Sequence, residues 1–283
     1  MREIPAGGQV VQLLHRASCD IVERRGDPVS VLIGAGRPAT LPLTGERTVP
    51  GVLEENYWFR RHEVVYEAIA PRCAGAVVLE AGCGEGYGAD LLAGVARTVL
   101  GLDYDAATAV HVARRYPRVA VARTNLVALP VRDGSVDAVV SLQVIEHLWD
   151  QERFLRECHR VLRPGGTLLV STPNRITFSP GRETPLNPFH TRELSGSELA
   201  VLVRDAGFAG VELRGLHHGP RLRELDAHHG GSIVDAQVAV VVDGAPWPPG
   251  LRADVASVTC ADFELRAHDV DASLDLLVSA TRG

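Results

Sequence analysis

Lysine is absent from this sequence, and all 29 of its lysine-or-arginine positions are arginine. We attribute this bias to a GC-rich coding sequence rather than to function. Cysteine is also scarce, and the five cysteines include no C-x-x-C pair, which argues against a disulfide framework and a cysteine zinc site. Because no apolar run is long enough to span a membrane and no signal-peptide pattern opens the chain, we expect a cytoplasmic protein.

Positively charged residues are also fewer than negatively charged ones, at 29 against 35. The formal net charge is −6 at pH 7, whereas proteins that bind nucleic acids are usually basic, so we expect no nucleic-acid partner. A length of 283 residues with 46% hydrophobic residues is enough to bury a sizeable core in one or two domains. Nothing in the sequence indicates the oligomeric state.

Short apolar runs alternate with segments of helical periodicity, which predicts βαβ units and a parallel sheet. Strands are predicted at residues 76–79, 98–102, 119–123, 136–141, 167–171 and 274–281. We expect a mostly disordered arm over residues 1–43 and a single domain over residues 44–283. The parts of that domain are an N-terminal cap helix (54–75), a ligand-binding core (76–215), a cap insertion (216–266) and a last strand (267–283).

A glycine-rich turn follows the first predicted strand, in the segment "VVLEAGCGEGYGADLL". Glycine permits positive φ and a close approach of the backbone, and a strand, a glycine turn and a helix N-terminus form a nucleotide-type pocket. The dinucleotide pattern G-x-G-x-x-G fails, because its third glycine would fall on Tyr87. The observed order instead places Glu80 before Gly82, Gly84 and Gly86. An acid at this point suits a ligand with an ammonium group and repels a pyrophosphate, which favours S-adenosyl-L-methionine over NAD or ATP.

Polar residues follow the next strands at spacings that suit a nucleoside. Asp103 ends the second strand about twenty residues beyond the turn, where an acid can accept hydrogen bonds from both ribose hydroxyls. Asn125 can accept a hydrogen bond from an adenine amino group, and Leu126 can cover the ring. Gln143 follows the fourth strand, at the edge where open α/β sheets bind ligands.

Five segments resemble the class I S-adenosylmethionine-dependent methyltransferases and occur in the order of that family. They are "LEAGCGEGYG", "LDYD", "NLVALPVRDGSVDAVVS", "QVIEHLWD" and "VLRPGGTLLVSTPN", within roughly residues 55–215. The resemblance implies a Rossmann-like, seven-stranded α/β sheet with helices on both faces. It also implies a donor site that includes Tyr104 and Gln143. The family usually has Asp where Asn125 stands, so the adenine contact carries over less directly.

The flanking segments are similar to a narrower group of methyltransferases. "LTGERTVPG", "STPNRITFSPGRETPLNPFHTREL" and "HGPRLRELDAHHGGSIVDAQ" resemble actinobacterial, including mycobacterial, enzymes associated with methylglucose lipopolysaccharide biosynthesis. This similarity extends almost end to end from about Leu43. It implies a carbohydrate acceptor, the 6-hydroxyl of glucose units in an α-glucan precursor, which spacing and composition do not indicate.

Two histidines are candidates for the acid–base chemistry. Methyl transfer from a sulfonium is an in-line displacement, and a weakly acidic sugar hydroxyl needs a base or a cation as its proton leaves. His147 follows the fourth strand and is the first candidate for the base, and His190 is the second. The loop before His190, residues 173–193, contains four prolines and is predicted to be a substrate lid.

Glu146, His147 and His190 also form a possible metal site. The segment "QVIEH" is similar to the "E-x-x-E-H" segment of RNA 2′-O-methyltransferases, but Gln143 replaces the first acid and removes one charged ligand. We therefore regard Mg²⁺ as possible but do not expect it. A third interpretation keeps Glu146 and His147 as a structural pair that orients the loop.

Several polar residues outside the donor motifs are predicted to contact the acceptor. They lie in the cap helix, in the predicted lid and in the histidine-rich insertion. The set comprises Tyr57, Arg61, Asn174, Arg175, His217 and His218.

Three functions remain open at this point. The first is an O-methyltransferase for a carbohydrate, and the second is a methyltransferase for a quinone or another small lipophilic acceptor, which would favour a more apolar cap. The third is a donor-binding module without catalysis, and the intact set of Glu80, Gly82, Gly84 and Asp103 argues against it.

Overall fold

The computed structural model describes residues 20–22, as backbone only, and residues 47–283. These residues form one nine-stranded sheet with flanking helices. The strands are β1 (Asp20–Val22), β2 (Val77–Ala81), β3 (Thr98–Asp103), β4 (Val119–Arg123), β5 (Val136–Leu142), β6 (Leu162–Pro173), β7 (Phe208–His218), β8 (Phe263–Arg266) and β9 (Asp275–Arg282). The helices are α1 (Asn56–Ile69), α2 (Tyr87–Ala93), α3 (Ala106–Arg115), α4 (Gln151–Val161), α5 (Arg175–Phe178), α6 (Gly196–Asp205), α7 (Pro220–His228), α8 (Ile233–Asp243) and α9 (Pro249–Ser257).

The strand order is β1-β4-β3-β2-β5-β6-β9-β7-β8. The strands from β4 to β6 in this order are parallel, whereas β9 is antiparallel to both β6 and β7. The predicted Rossmann-like α/β fold is confirmed. The predicted count of seven strands is wrong, because β1 adds to the β4 edge and β8 adds to the β7 edge.

Alternation along the strands places apolar side chains on both faces of the sheet. In β2, Leu79 belongs to one buried core and Val78 to the other, because successive side chains of a strand point to opposite faces. Phe154 of α4 packs into the first core and Val112 of α3 into the second. The parallel strands are therefore buried on both faces, and their carboxyl ends share one edge of the sheet.

The segment predicted as a cap insertion, residues 216–266, is more closely joined to the sheet than expected. Its first residues belong to β7, which continues to His218, and its last residues form β8, which pairs with β7 through His217 opposite Glu264. Only α7, α8 and α9 lie between these strands as an added helical layer. The strand ranges predicted from the sequence include neither β7 nor β8, and the four residues of β8 are too few to show a period.

Asn56, the first residue of α1, joins this helical layer to the N-terminal cap. Its Nδ2 donates to the backbone carbonyls of Val255, Ala256 and Val258, at 2.9–3.1 Å. These carbonyls lie at the end of α9, where a helix leaves its last acceptors without intrahelical donors. The predicted arm over residues 1–43 lies outside the described residues, except for the three of β1.

Within the described part of the chain, no helix has both the length and the apolar character needed to cross a membrane.

Candidate active site

The glycine turn between β2 and α2 uses each glycine differently. Gly82, Gly84 and Gly86 all have positive φ, at 86°, 53° and 97°. A Cβ on Gly82 would lie 2.4 Å from Val144, and one on Gly86 would lie 2.7 Å from Val112, so protein packing requires both glycines. A Cβ on Gly84 would meet no described atom within 4 Å, so this glycine borders open space. The turn therefore leaves room for a ligand at Gly84.

Asp103 lies at the end of β3 with its carboxylate against this turn. Its Oδ2 accepts from the backbone N–H of Gly84 at 3.0 Å, and its Oδ1 accepts from the N–H of Asp105 at 2.9 Å. Burial raises the pKa of Asp103, although the two N–H groups act in the opposite direction. Tyr104, the next residue, is 68% exposed and can contact a ligand from the open side.

Glu80, on β2, is a fully buried carboxyl group beside the same turn. Its Oε1 accepts from the hydroxyl of Tyr66 at 2.5 Å, and its Oε2 has no hydrogen-bond donor among the described residues. Burial raises the pKa of Glu80 to about 8. A buried carboxyl with an unpaired oxygen is well suited to a cationic group of a ligand, which would favour its ionised form.

Two further predicted donor residues, Asn125 and Leu126, are less available for contact with a ligand than Asp103 and Glu80. Asn125 is exposed, and its Oδ1 already accepts from the N–H of Val127 at 3.1 Å. Leu126 is 5% exposed and packs in the core, so little of its side chain is left to cover an adenine ring. Gln143 has an unusual positive φ of 57°, and its N–H donates to the carbonyl of Ser171 at 2.9 Å. This hydrogen bond places Gln143 next to β6, near the carboxyl ends of β5 and β6.

The two predicted catalytic histidines lie together beyond the carboxyl end of β5. The rings of His147 and His190 are 4.9 Å apart, and one ligand atom from each of Glu146, His147 and His190 lies within 4.8 Å of the others. His147 Nδ1 is 3.1 Å from the carbonyl oxygen of Phe189, and His190 Nδ1 is 2.7 Å from Oε1 of Glu193. A carbonyl oxygen can only accept, so Nδ1 of His147 carries a proton and Nε2 is the basic nitrogen of the neutral ring.

Glu146 is almost fully buried below the histidines. Its Oε2 accepts from the Thr172 hydroxyl at 2.9 Å, and its backbone oxygen accepts from the N–H of Thr191 at 2.7 Å. Burial raises the pKa of Glu146 to about 8, and the neighbouring charges of Asp275 and Glu193 act in the same direction. Glu146 thus joins the turn after β5 to the segment that carries His190, as in the structural-pair interpretation.

Three of the predicted acceptor residues, Tyr57, His217 and His218, are mostly or fully enclosed by the fold. Tyr57 is fully buried, and its hydroxyl lies 2.6 Å from Nε2 of His218. His218 Nδ1 lies 2.6 Å from Oδ2 of Asp226. His217 is also buried, and its Nε2 has no partner among the described residues. The extension of β7 brings both histidines into the fold, and contact of these three residues with the acceptor stays a prediction.

Arg61 and Asn174 are likewise occupied by structural contacts. Arg61 is 5% exposed and forms a bidentate pair with Asp275, with both N–O distances at 2.6 Å. Asn174 is fully buried and donates to three backbone carbonyls between Val270 and Ser273. Contact of these two residues with the acceptor stays a prediction. Arg175 is partly exposed and pairs with Glu198, so it remains accessible.

Two residues to which the sequence analysis gave no role, Arg47 and Thr48, lie near the candidate donor site. Thr48 Oγ1 lies 2.9 Å from the hydroxyl of Tyr87, and Arg47 pairs with Asp105 at 3.1 Å. The segment that begins at Arg47 therefore contacts the start of α2 and the residues that follow β3. The only signal for it in the sequence was its place in the stretch "LTGERTVPG".

Comparisons with known proteins agree with this fold. The family described as "Methyltransferase domain" matches residues 79–170. A "Probable S-adenosylmethionine-dependent methyltransferase" of Mycobacterium tuberculosis is 65% identical over 87% of this chain and 91% of its own. A protein with the same description from Mycolicibacterium smegmatis is 63% identical over 91% of this chain and 99% of its own.

More distant similarity extends to other methyltransferases. A ubiquinone biosynthesis O-methyltransferase of Cupriavidus pinatubonensis is 34% identical over 52% of this chain and 66% of its own. The crystal structure of a SAM-dependent methyltransferase from Thermotoga maritima matches 81% of this chain and 95% of its own with a TM-score of 0.56. At 20% identity, that match shows the fold alone.

A Rossmann-like sheet with an acid–glycine turn and an acid at the end of the next strand defines a class I methyltransferase. The chain belongs to the S-adenosylmethionine-dependent methyltransferases. The predicted enzyme class and the predicted cofactor, S-adenosyl-L-methionine, are both confirmed. The open side of Gly84 and the unpaired oxygen of Glu80 fit this cofactor.

Proposed function

We propose that this enzyme is an O-methyltransferase acting on a carbohydrate, at the 6-hydroxyl of glucose units in an α-glucan precursor of methylglucose lipopolysaccharide. The observation that carries the O-methyl assignment is the pairing of His147 and His190 at the carboxyl edge of the sheet, beside the donor turn. The carbohydrate assignment is supported by the sequence resemblance described above.

The donor residues have separate tasks in this proposal. S-adenosyl-L-methionine supplies an electrophilic methyl group on its sulfonium. The Asp103 carboxylate accepts hydrogen bonds from the ribose, Glu80 faces the ammonium group, and the backbone at Gly84 lies along the ligand. Tyr104, Asn125 and Gln143 border the same edge.

His147 takes the proton of the acceptor hydroxyl. The carbonyl of Phe189 keeps the Nδ1 proton in place, so Nε2 is the nitrogen that accepts. Glu193 holds His190 in the same manner through Nδ1. A positioned base of this kind typically contributes about 10²–10⁴-fold to the rate. A carbon nucleophile or a thiolate would have less need of such a base.

A divalent cation could replace the base. Glu146, His147 and His190 offer one carboxylate and two imidazoles, a set that binds first-row divalent metals. Glu193 would then orient His190 as a carboxylate commonly orients a metal-bound histidine. We favour the base, because Gln143 stands where a further acidic ligand is expected from the "E-x-x-E-H" segment.

A quinone is the second candidate acceptor. The similarity to ubiquinone biosynthesis O-methyltransferases covers only about half of this chain, at 34% identity or below. It therefore favours a shared donor chemistry more than a shared acceptor.

The test is a transfer assay with labelled donor against α-glucans, phenols and quinones. We expect label in the glucans, at the 6-position of glucose. His147→Ala should lower kcat by about 10²–10⁴-fold without changing donor affinity, because the loss is confined to the transition state. His268→Ala is the control, since the side chain of His268 is 72% exposed and pairs only locally with Asp269.

The same assay separates the two mechanisms. A chelator should have little effect if His147 is a base, whereas loss of activity that Mg²⁺ or Mn²⁺ restores would establish the metal. Full activity in both His147→Ala and His190→Ala would contradict both. Transfer to quinones but not to glucans would contradict the carbohydrate assignment.

A further inference from the structure

Two exposed aromatic side chains flank the histidine pair. Trp149 is 92% exposed and Phe189 is 61% exposed. Trp149 follows His147 by two residues, and Phe189 precedes His190 by one. Neither was assigned a role above, apart from the backbone carbonyl of Phe189.

Trp149 is unusual among the aromatic residues that the structure describes. Its exposure is the highest of any large hydrophobic side chain in residues 47–283. The other two tryptophans, Trp58 and Trp247, are only partly exposed and pack against a core. An indole that gains nothing from burial in the fold is a candidate for binding from outside.

The backbone on both sides of Trp149 is anchored to the candidate active site. Gln151 Nε2 donates to the carbonyl of Ile145 at 2.9 Å and to that of Arg192 at 2.8 Å. The Thr191 hydroxyl donates to the carbonyl of Leu148 at 2.8 Å. These bonds hold the turn that carries Trp149 against the segment that carries His190. The backbone that carries the indole is therefore held close to the segment of the candidate histidines.

We propose that Trp149, together with Phe189, is the platform on which a sugar ring of an extended glucan stacks next to the glucose unit that is methylated. This inference rests on the proposed α-glucan acceptor and assigns the residues that bind a glucose unit beside the methylated one. One face of a glucose ring consists of C–H groups, which pack on the electron-rich face of an aromatic ring, while its hydroxyls stay at the rim in water.

The openness of the platform decides between an extended and a small acceptor. Sites for small lipophilic molecules enclose most of the ligand surface. An indole that is 92% exposed supplies one flat face and no enclosing wall, so a chain can continue past it. This geometry suits a polysaccharide better than a quinone.

The experiment measures KM and kcat of the purified full-length enzyme on methyl α-glucoside and on α-1,4-glucans of increasing length. Trp149→Ala should raise KM for the long glucans about tenfold, which corresponds to about 1.4 kcal/mol. It should leave kcat on long glucans, activity on the glucoside and donor affinity nearly unchanged. Trp149→Phe should keep KM for the long glucans close to the wild-type value, because it retains an aromatic ring. Trp149→Leu should raise this KM as Trp149→Ala does, because leucine is apolar but has no ring.

Trp247→Ala is the matched control, since it removes a tryptophan that packs against the core. Migration of the same proteins in native gels containing glycogen measures binding without turnover. An unchanged KM and an unchanged migration of Trp149→Ala, with a wild-type enzyme that methylates glucans, would overturn the platform and leave the proposed function intact. A wild-type enzyme that neither binds nor methylates glucans would overturn both.

Discussion

At the scale of the residue, Glu80 shows how the fold controls a protonation state. The carboxyl is fully buried, shares a hydrogen bond with Tyr66 and has one oxygen without a partner among residues 47–283. Its pKa is therefore raised from an ordinary value of 4.5 to about 8, so the group is mostly neutral near pH 7 in the protein without ligand. A cationic ligand group beside it favours ionisation.

Donor affinity should consequently depend on pH. Because binding lowers the pKa of Glu80, it releases a proton, and affinity should rise between pH 6 and pH 7.5 by up to about tenfold per pH unit. Calorimetry with S-adenosylhomocysteine at several pH values measures this slope. Glu80→Gln cannot ionise and should give a weaker but nearly flat profile. An equally steep slope in that variant would assign the released proton to another group.

Gly84 supports a second prediction at this scale. A Cβ there meets no described atom, so Gly84→Val should place its side chain in the donor space and abolish binding of S-adenosylhomocysteine while the protein stays folded. Gly134→Val is a matched control, because Gly134 has φ 59° against 53° for Gly84 and lies at a distant turn. Both variants carry similar backbone strain, of about 1–2 kcal/mol. Wild-type affinity in Gly84→Val would contradict the donor site.

Asp103→Ala should abolish donor binding as well, because the ribose hydroxyls lose their acceptor. Calorimetry with S-adenosylhomocysteine checks this. The same affinity as wild type would remove Asp103 from the site.

At the scale of the element, the loop after β6 divides into two parts. Its second half is anchored to the turn after β5 by Thr191 and by the contact of His147 with Phe189. Its middle, residues 180–184, is exposed throughout and follows the short helix α5. This arrangement leaves the stretch around Arg182 accessible, whereas the histidine-bearing part is held in place.

The loop over residues 173–193 should act as a lid, as its proline content predicts. Trypsin should cleave the unliganded enzyme after Arg182, and cleavage should slow when donor and glucan are both present. Mass spectrometry of the fragments over time measures the rate at this bond. A rate that both ligands at saturation leave unchanged would contradict a lid.

At the scale of the whole molecule, Arg61 and Asp275 join the N-terminal helix α1 to the last strand, β9. The pair is buried and bidentate, and the two residues are 214 positions apart in the sequence. Breaking a buried pair by removing one partner leaves the other charge without compensation, which costs about 3–5 kcal/mol. The pair therefore connects two segments of the fold that are far apart in the sequence.

Arg61→Met should lower the free energy of unfolding by about 3–5 kcal/mol in urea titrations. Arg118→Met is the control, because Arg118 is 55% exposed in its pair with Asp90 and solvent screens that interaction. A loss in Arg61→Met no larger than that in Arg118→Met would show that the buried pair contributes little.

The local signals were sufficient for the central part of the fold. Short apolar runs between helical segments predicted the parallel strands from β2 to β6, and the glycines predicted the βα turn at Gly84, because both signals depend on residues close in sequence. The edge strand β8 was missed, since a four-residue strand has no readable period and exists through its pairing with β7. The predicted donor and catalytic residues remain predictions that the experiments above test.

By itself, the sequence determined the class of enzyme, its donor and the edge of the sheet where chemistry takes place. Spacing after strand ends is a local property, and it survives in any packing of those strands. Only the tertiary structure decided that Arg61 pairs with Asp275, that the hydroxyl of Tyr57 lies against His218, and that Trp149 is open to solvent. Burial and pairing depend on which distant segments meet, and a single sequence does not state those contacts.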